Sequence, residues 1–300
     1  MEPPFAHAGE VAALATACSW AVSALSFQTA GRRVGSLPVN LIRLVVAMFL
    51  LGAFTWATRG MPLPMDASRH TWVWLSLSGL AGFTIGDLCL FRAFVLVGAR
   101  ISMLMMTLVP LVTTILGFLV MHEVLSPKQL AGMVLTIVGV SSVILEKRRD
   151  ANGRIERLPL IGILLGLGGA VGQALGLVLA KYGMGGYSAV ASTQIRVLAG
   201  IVGFSVVFTA TGRWPRVRAA LGDRRAMTST GIGSFFGPFI GVSLSLLAVQ
   251  YTEAGVAATL MALTPVVIVP MSMVLYRERV VWPAAIGAVV AVCGSALLFL

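Results

Sequence analysis

Ten apolar runs of roughly twenty residues follow one another along this chain with little between them. They fall at residues 9–30, 37–58, 72–95, 99–121, 128–145, 159–180, 190–211, 227–250, 255–276 and 282–300. Crossing about 30 Å of hydrocarbon takes roughly 20 apolar residues when the chain is helical, because a helix satisfies its own backbone there. The pattern predicts an all-α integral membrane protein with ten transmembrane helices. The breaks carry turn chemistry and charge: Gly31-Arg32-Arg33, Arg59-Gly60-Met61-Pro62, Ser126-Pro127-Lys128, residues 183–188 and residues 212–225. Pro127 and Pro283 stand where new helices would begin, a position that tolerates a missing N–H.

Composition supports this reading. Charged residues make up 11% of the chain, against roughly 25% in a soluble domain, and the mean hydropathy is +0.94. The net charge of +11 does not point to nucleic acid, since the 22 basic residues are scattered between apolar runs rather than gathered on one face. Cys18, Cys89 and Cys293 all lie within apolar runs and lack metal-ligand spacing, so they are expected to be small buried hydrophobes. Neither a metal nor a cofactor is expected. Residues 1–10 lack the basic stretch and cleavage site of a signal peptide, so the first run is expected to be a retained span.

The longest hydrophilic link, residues 146–158, falls near the midpoint and divides the chain into units 1–145 and 159–300. A shift of 155 residues aligns Ala99 with Ala254, Met106 with Met261, Pro110 with Pro265, Glu123 with Glu278 and Gly139 with Gly294. The same shift lays Ser78, Gly82 and Gly86 on Gly233, Gly237 and Gly241, and a shift of 153 lays Arg43 on Arg196. Five spans per half is an odd number, so the second half would enter the membrane from the opposite side. Two inverted five-helix repeats are the architecture of many secondary transporters, with the binding site near the midplane between them.

These residues resemble the drug/metabolite transporter superfamily, and within it the EamA type. The resemblance covers essentially the whole chain. It rests on Trp20, the repeated Arg43 and Arg196, the Pro110 and Pro265 helices, and Glu123 and Glu278 followed by Pro127 and Pro283. It implies a ten-helix carrier exporting amino acids or other small metabolites through a central cavity between the halves. The second half departs from the pattern by placing Gln173 where Trp20 stands.

Ionisable groups inside a span cost on the order of 3 kcal/mol each, so each needs a partner or water. Arg43, Arg92, Arg196 and Asp87 meet that description. Asp87 aligns with Val242 and Arg92 with Leu247, and such unmatched charges are the better substrate or coupling candidates. Asp87 would hold an amino group or carry a proton, and Arg92 would receive a carboxylate. A structural reading has Arg92 snorkelling to the interface and Asp87 pairing locally. Arg43 and Arg196, matched and near helix starts, suit a shared structural or coupling duty.

Trp20, Gln173, Tyr182, Gln194 and Gln250 are expected to line the cavity, although another helix can satisfy a glutamine as well as a ligand can. Glu123 and Glu278, beside His122, Arg277 and Arg279, read as interfacial charges that stop their helices. Pro110 and Pro265 are expected mid-helix as hinges. Glycines 162, 166, 168, 172 and 176 form the small-xxx-small spacing of close helix contacts.

Both termini share one face. Four basic residues fall on that face and fifteen on the other, so charge bias places the termini outside the cytoplasm, whereas the family resemblance implies the reverse. The leading reading is a secondary exporter of small metabolites, amino acids first, in a bacterial inner membrane. A carrier of another metabolite or drug, a channel and a lipid scramblase are the alternatives. The expected partners are the bilayer and a small-molecule substrate, and monomer and homodimer are both compatible. No H-E-x-x-H, G-x-S-x-G or P-loop motif occurs, so neither enzymatic activity nor built-in ATP hydrolysis is expected.

Overall fold

The computed structural model describes residues 6–90, 92–93, 96, 105–144, 159–264, 266–268, 271 and 282–297, and every regular element among them is helical. In chain order these are α1 Ala8–Val34, α2 Ser36–Arg59, α3 Arg69–Leu90, α4 Val109–Met121, α5 Pro127–Ile144, α6 Leu160–Met184, α7 Ala189–Thr211, α8 Trp214–Leu221, α9 Arg224–Tyr251, α10 Ala254–Met261 and α11 Trp282–Ala296. Six of them, α1, α2, α3, α6, α7 and α9, are long and apolar enough to cross a bilayer. The linker 146–158 lies outside the described residues.

Local chemistry sets the boundaries. Ser68, Ser188 and Asp223 each accept a backbone N–H from the first turn of α3, α7 and α9. Ahead of α5, Ser126 N–H donates to Gln129 Oε1 while Gln129 N–H donates to Ser126 Oγ, a reciprocal capping box around Pro127. The short α8 was not anticipated. It occupies the break at 212–225 and exposes Arg216 and Arg218 while burying Val217 and Ala220, so it suits an interface rather than a span.

The repeat is visible in the backbone. α3 and α9 each contain a π-helical turn, Leu80–Gly86 and Phe235–Gly241, at matching positions. The last described helices of the two halves, α5 and α11, cross at a self-complementary contact. A methyl group on Gly139 would lie 2.7 Å from Gly287 O, and one on Gly294 would lie 2.9 Å from Gly132 O. Only hydrogen fits there. The glycine stripe of α6 meets α3 in the same way, with Gly172 facing Gly86 and Gly176 facing Gly82.

Cross-chain contacts assign the loops to two faces. Arg33, at the end of α1, makes two bonds of 2.9 and 3.0 Å to Asp223 ahead of α9. At the other face Arg59, ending α2, meets Asp66 and Tyr187, the latter just before α7. α2 and α7 therefore run in opposite directions.

Large apolar side chains such as Phe49, Val206 and Ile115 are exposed on outer helix faces, as a lipid-solvated surface requires. The cysteines correct the sequence expectation, since Cys18 and Cys293 are exposed and Cys89 is half-buried. In a soluble protein an apolar run implies burial of a thiol; in a bilayer the outer face is apolar too.

Candidate functional site

Asp87 follows directly on the π-helical turn of α3 and is 5% exposed. A wider turn shifts the side chains beyond it relative to those before it, and π-turns of this kind recur at functional sites. Asp87 accepts from two helices. Arg43 of α2 donates through Nη2 to Oδ2, and Gln173 of α6 donates through Nε2 to Oδ1 at 2.8 Å. Arg196 of α7, also 5% exposed, lies within electrostatic reach of Asp87 without an ion pair to it among the described residues. Each guanidinium stands over a phenylalanine, Arg43 over Phe27 at 5.4 Å and Arg196 over Phe83 at 5.1 Å. Two residues of the cluster come from each half.

Arg43 and Arg196 each stand seven residues into their helix, about 10 Å at 1.5 Å per residue. Because α2 and α7 run oppositely, the two arginines approach the central carboxylate from opposite faces. The cluster is also asymmetric across the repeat. At the equivalent position in the other half Val242 replaces Asp87, and Trp20 packs its indole against Gly241 where Gln173 approaches Gly86. One polar centre thus faces one apolar, aromatic counterpart.

The other sequence candidates are placed elsewhere. Arg92 is exposed, and the ion pair of Asp87 among the described residues is with Arg43 instead. Tyr182 is 41% exposed and packs with Trp74 and His70 at ring distances of 5.0 and 5.5 Å. Gln194 is fully buried but donates at 2.5 Å to Pro62 O, and Gln250 donates to Gly185 O and Tyr187 O at 3.2 Å. These glutamines fasten loops on the terminal face rather than joining the cluster.

Pro110 takes the second position of α4 instead of kinking a helix from within. The break is the turn at Thr107–Leu108, and the same turn recurs at Ala262–Leu263 after α10. Pro265 and Glu278 lie outside the described residues. Glu123 does more than end a helix. It pairs with Lys181 of α6 and accepts from Ala254 N at 2.9 Å, capping α10, while Lys181 donates to Thr252 O at 2.5 Å. The sequence sets Glu123 beside His122, and nothing in it points to a lysine 58 residues away.

A second tie between halves lies at the same face. The Tyr187 hydroxyl donates to Asp66 Oδ1 at 2.7 Å, and Arg59 donates to Asp66 Oδ2 at 2.5 Å and to the Tyr187 oxygen at 3.2 Å. The tyrosine hydrogen bond, followed by a backbone hydrogen bond and then the Arg59 charge, holds the Asp66 carboxyl below its ordinary range against the opposing effect of burial. A depressed carboxylate contributes stability above its unfolded pKa of about 3.9 and loses it as pH falls through the lower folded value. Tyr187→Phe is therefore expected to cost at most about 1 kcal/mol, because the network is partly exposed, and to weaken that acid dependence. Thermal unfolding between neutral pH and pH about 3 measures both, bracketing the ordinary carboxylate value. An unchanged acid dependence would show that the tie does not control it.

Two outer grooves, at Leu130, Val138 and Leu297 and at Ile201, Val206 and Thr209, are lined mainly by apolar residues and belong to the lipid-facing surface. Among the described residues no group of three or more metal-ligating side chains occurs.

A helical bundle built from two copies of one unit, with ionisable side chains held between the copies, has the architecture of secondary membrane carriers. The EamA-like transporter family matches the chain twice, over residues 7–145 and 160–300, and the chain belongs to that family. No curated protein matches it significantly. Twenty-eight solved chains do, one of them described only as "Crystal structure of protein". That structure superposes with a TM-score of 0.76 over 98% of this chain and 96% of its own at 16% identity, which makes it similar in fold alone.

Proposed function

We propose that this protein is a secondary carrier that exports small metabolites, amino acids first among them, by alternating access through the cluster between its two repeats. Ten helices in two inverted sets of five would span a bacterial inner membrane. The observation that carries this reading is the group of Asp87 and Arg196, both buried, with the half-buried Arg43 and Gln173, drawn from both halves. Two arginines, one buried and one half-buried, against a single acid are costly to keep in hydrocarbon for packing alone. Trp20, at the equivalent place in the other half, supplies an apolar wall. Arg92, exposed at its helix surface, has no part in the site. The ties at Glu123–Lys181 and Arg59–Asp66–Tyr187 hold the terminal face shut, and their release opens the site to that side.

Counterflow in proteoliposomes tests the carrier. Unlabelled amino acids loaded inside should accelerate saturable uptake of labelled substrate, and Asp87→Asn should lose at least tenfold in rate, equivalent to about 1.4 kcal/mol of transition-state stabilisation. Flux that never saturates would favour a channel or scramblase.

Orientation follows from charge. Arg33, Arg213, Arg216, Arg218, Arg224 and Arg225 all lie at the non-terminal face, so that face is cytoplasmic and the termini are external. A periplasm-dependent reporter fused to the C terminus is expected to be active, and a cytoplasm-dependent one silent. The opposite pattern would reverse the assignment and make charge bias subordinate to the family's habit.

A further inference from the structure

The buried cluster does not balance its own charge. Arg43, half-buried, and Arg196, buried, contribute two positive groups to the cluster, and Asp87 is the single acid in contact with it. Asp87 is also committed, with one oxygen taken by Arg43 and the other by Gln173. Arg196 is left with an aromatic ring at 5.1 Å and a buried Nε that has no partner. On the faces that lead to the two arginines, further polar atoms lack partners. Asn40, one turn before Arg43, has both amide atoms unpaired at 1% exposure, and Ser192, one turn before Arg196, has an unpaired hydroxyl at 0%. Residues three or four apart share a helix face, so these groups flank the guanidiniums. Unsatisfied buried polar groups cost on the order of 1–3 kcal/mol each, and a charged one costs more. Several on one pair of facing helices mark where a polar partner belongs.

We infer that Arg196 is the acceptor for a single negative group on the transported molecule, and that the substrate class is the small carboxylates. This rests on the carrier reading and narrows it. An amino acid would be held by its carboxylate at Arg196, with its amino group left unserved because Asp87 is already paired. Acids that lack the amino group, or carry it acylated, then bind as well as amino acids do. One negative charge neutralises the cluster, whereas a cationic amide would add to an existing excess. Arg196→Gln relieves an uncompensated buried charge, so the empty protein is no less stable than the parent, the opposite of what a purely structural arginine would give.

The test follows thermal unfolding of the purified full chain with five probes at millimolar concentration: L-leucine, N-acetyl-L-leucine, 4-methylpentanoate, and the amides L-leucinamide and 4-methylpentanamide. The three acids are expected to raise Tm and the two amides are not. Arg196→Gln should abolish the acid response while keeping or raising the Tm of the empty protein, and Arg196→Lys should retain part of the response. Three results would overturn the inference: amides stabilising as strongly as acids, an acid response that survives Arg196→Gln, or no response to any acid. Counterflow of a neutral or cationic solute that survives Arg196→Gln would keep the carrier and discard its anion preference. Absence of saturable exchange for every solute would instead remove the carrier reading beneath it.

Discussion

Asp87→Ala is expected to be the most damaging single change at the protein's centre. It leaves two guanidiniums, the half-buried Arg43 and the buried Arg196, with no acid between them, and removes the acceptor of Gln173. Breaking a buried pair by deleting one partner typically costs about 3–5 kcal/mol, far more than the pair contributes net. Asp87→Asn keeps one acceptor oxygen for Arg43, and its NH2 can donate to Gln173 once that amide turns its oxygen inward, so it is expected to cost less than half of that. Removing Arg43 as well, in Asp87→Leu with Arg43→Met, should recover much of the loss, because no unpaired charge remains on α2. Thermal unfolding in detergent, with recovery of monodisperse protein as a second readout, distinguishes these variants. An additive double variant would show that Asp87 and Arg43 do not act as a unit.

The second large effect belongs to a glycine. Gly172 of α6 lies so close to α3 that an added Cβ would stand 2.7 Å from Gly86 Cα and 3.0 Å from the backbone of Ala81. Both are main-chain atoms, so no side chain can swing away. Gly172→Leu must separate the two helices and draw Gln173 off Asp87, and is expected to cost at least about 3 kcal/mol, the upper end of overpacking in a close-packed core. Gly231 of α9 provides the control, since a Cβ there meets nothing within 4 Å. Gly231→Ala should be neutral or stabilising by up to about 1 kcal/mol through helix propensity alone. Equal Tm values for Gly172→Leu and the parent would mean that the α3–α6 contact is not tight.

The membrane class and the approximate spans are legible from apolar run length, which depends only on bilayer thickness and helical rise. The repeat is legible because Pro, Glu, Gly and Arg recur at nearly constant offsets. The α6 glycines read correctly as a close contact because small-residue spacing has few other uses in an apolar helix. The π-turns were not legible. Gly82 and Gly86 signal a close approach, and nothing in their spacing distinguishes a wide turn from an ordinary one. That turn affects which way Asp87 points, so the Asp87–Arg43 pair, 44 residues apart, could not be read either.

Arg92 and Asp87 look alike as charges in one span, and only the helix face, buried for one and exposed for the other, separates them. Pro110 shows the converse. A proline within an apolar run suggests a kink, but the chain turns at Thr107–Leu108 first and spends the proline at a helix start, where its missing N–H costs nothing. The partners of Lys181 are not legible in the sequence, because Glu123 and Thr252 lie just past the ends of other helices.

Alternating exposure of the central cluster is the claim on which the rest depends, and site-directed labelling tests it most directly. Gln173→Cys, made in a chain whose Cys18, Cys89 and Cys293 are replaced by serine, places one thiol beside Asp87. A membrane-impermeant thiol reagent is then applied to one side of oriented proteoliposomes, with and without a transported solute. The thiol is expected to react from either side, with the reactive side changing as solute gradients are reversed and saturating substrate protecting it. A thiol that reacts from neither side under any gradient would contradict the account and leave the buried charges as a structural core. One that reacts equally from both sides at once would mark a pore.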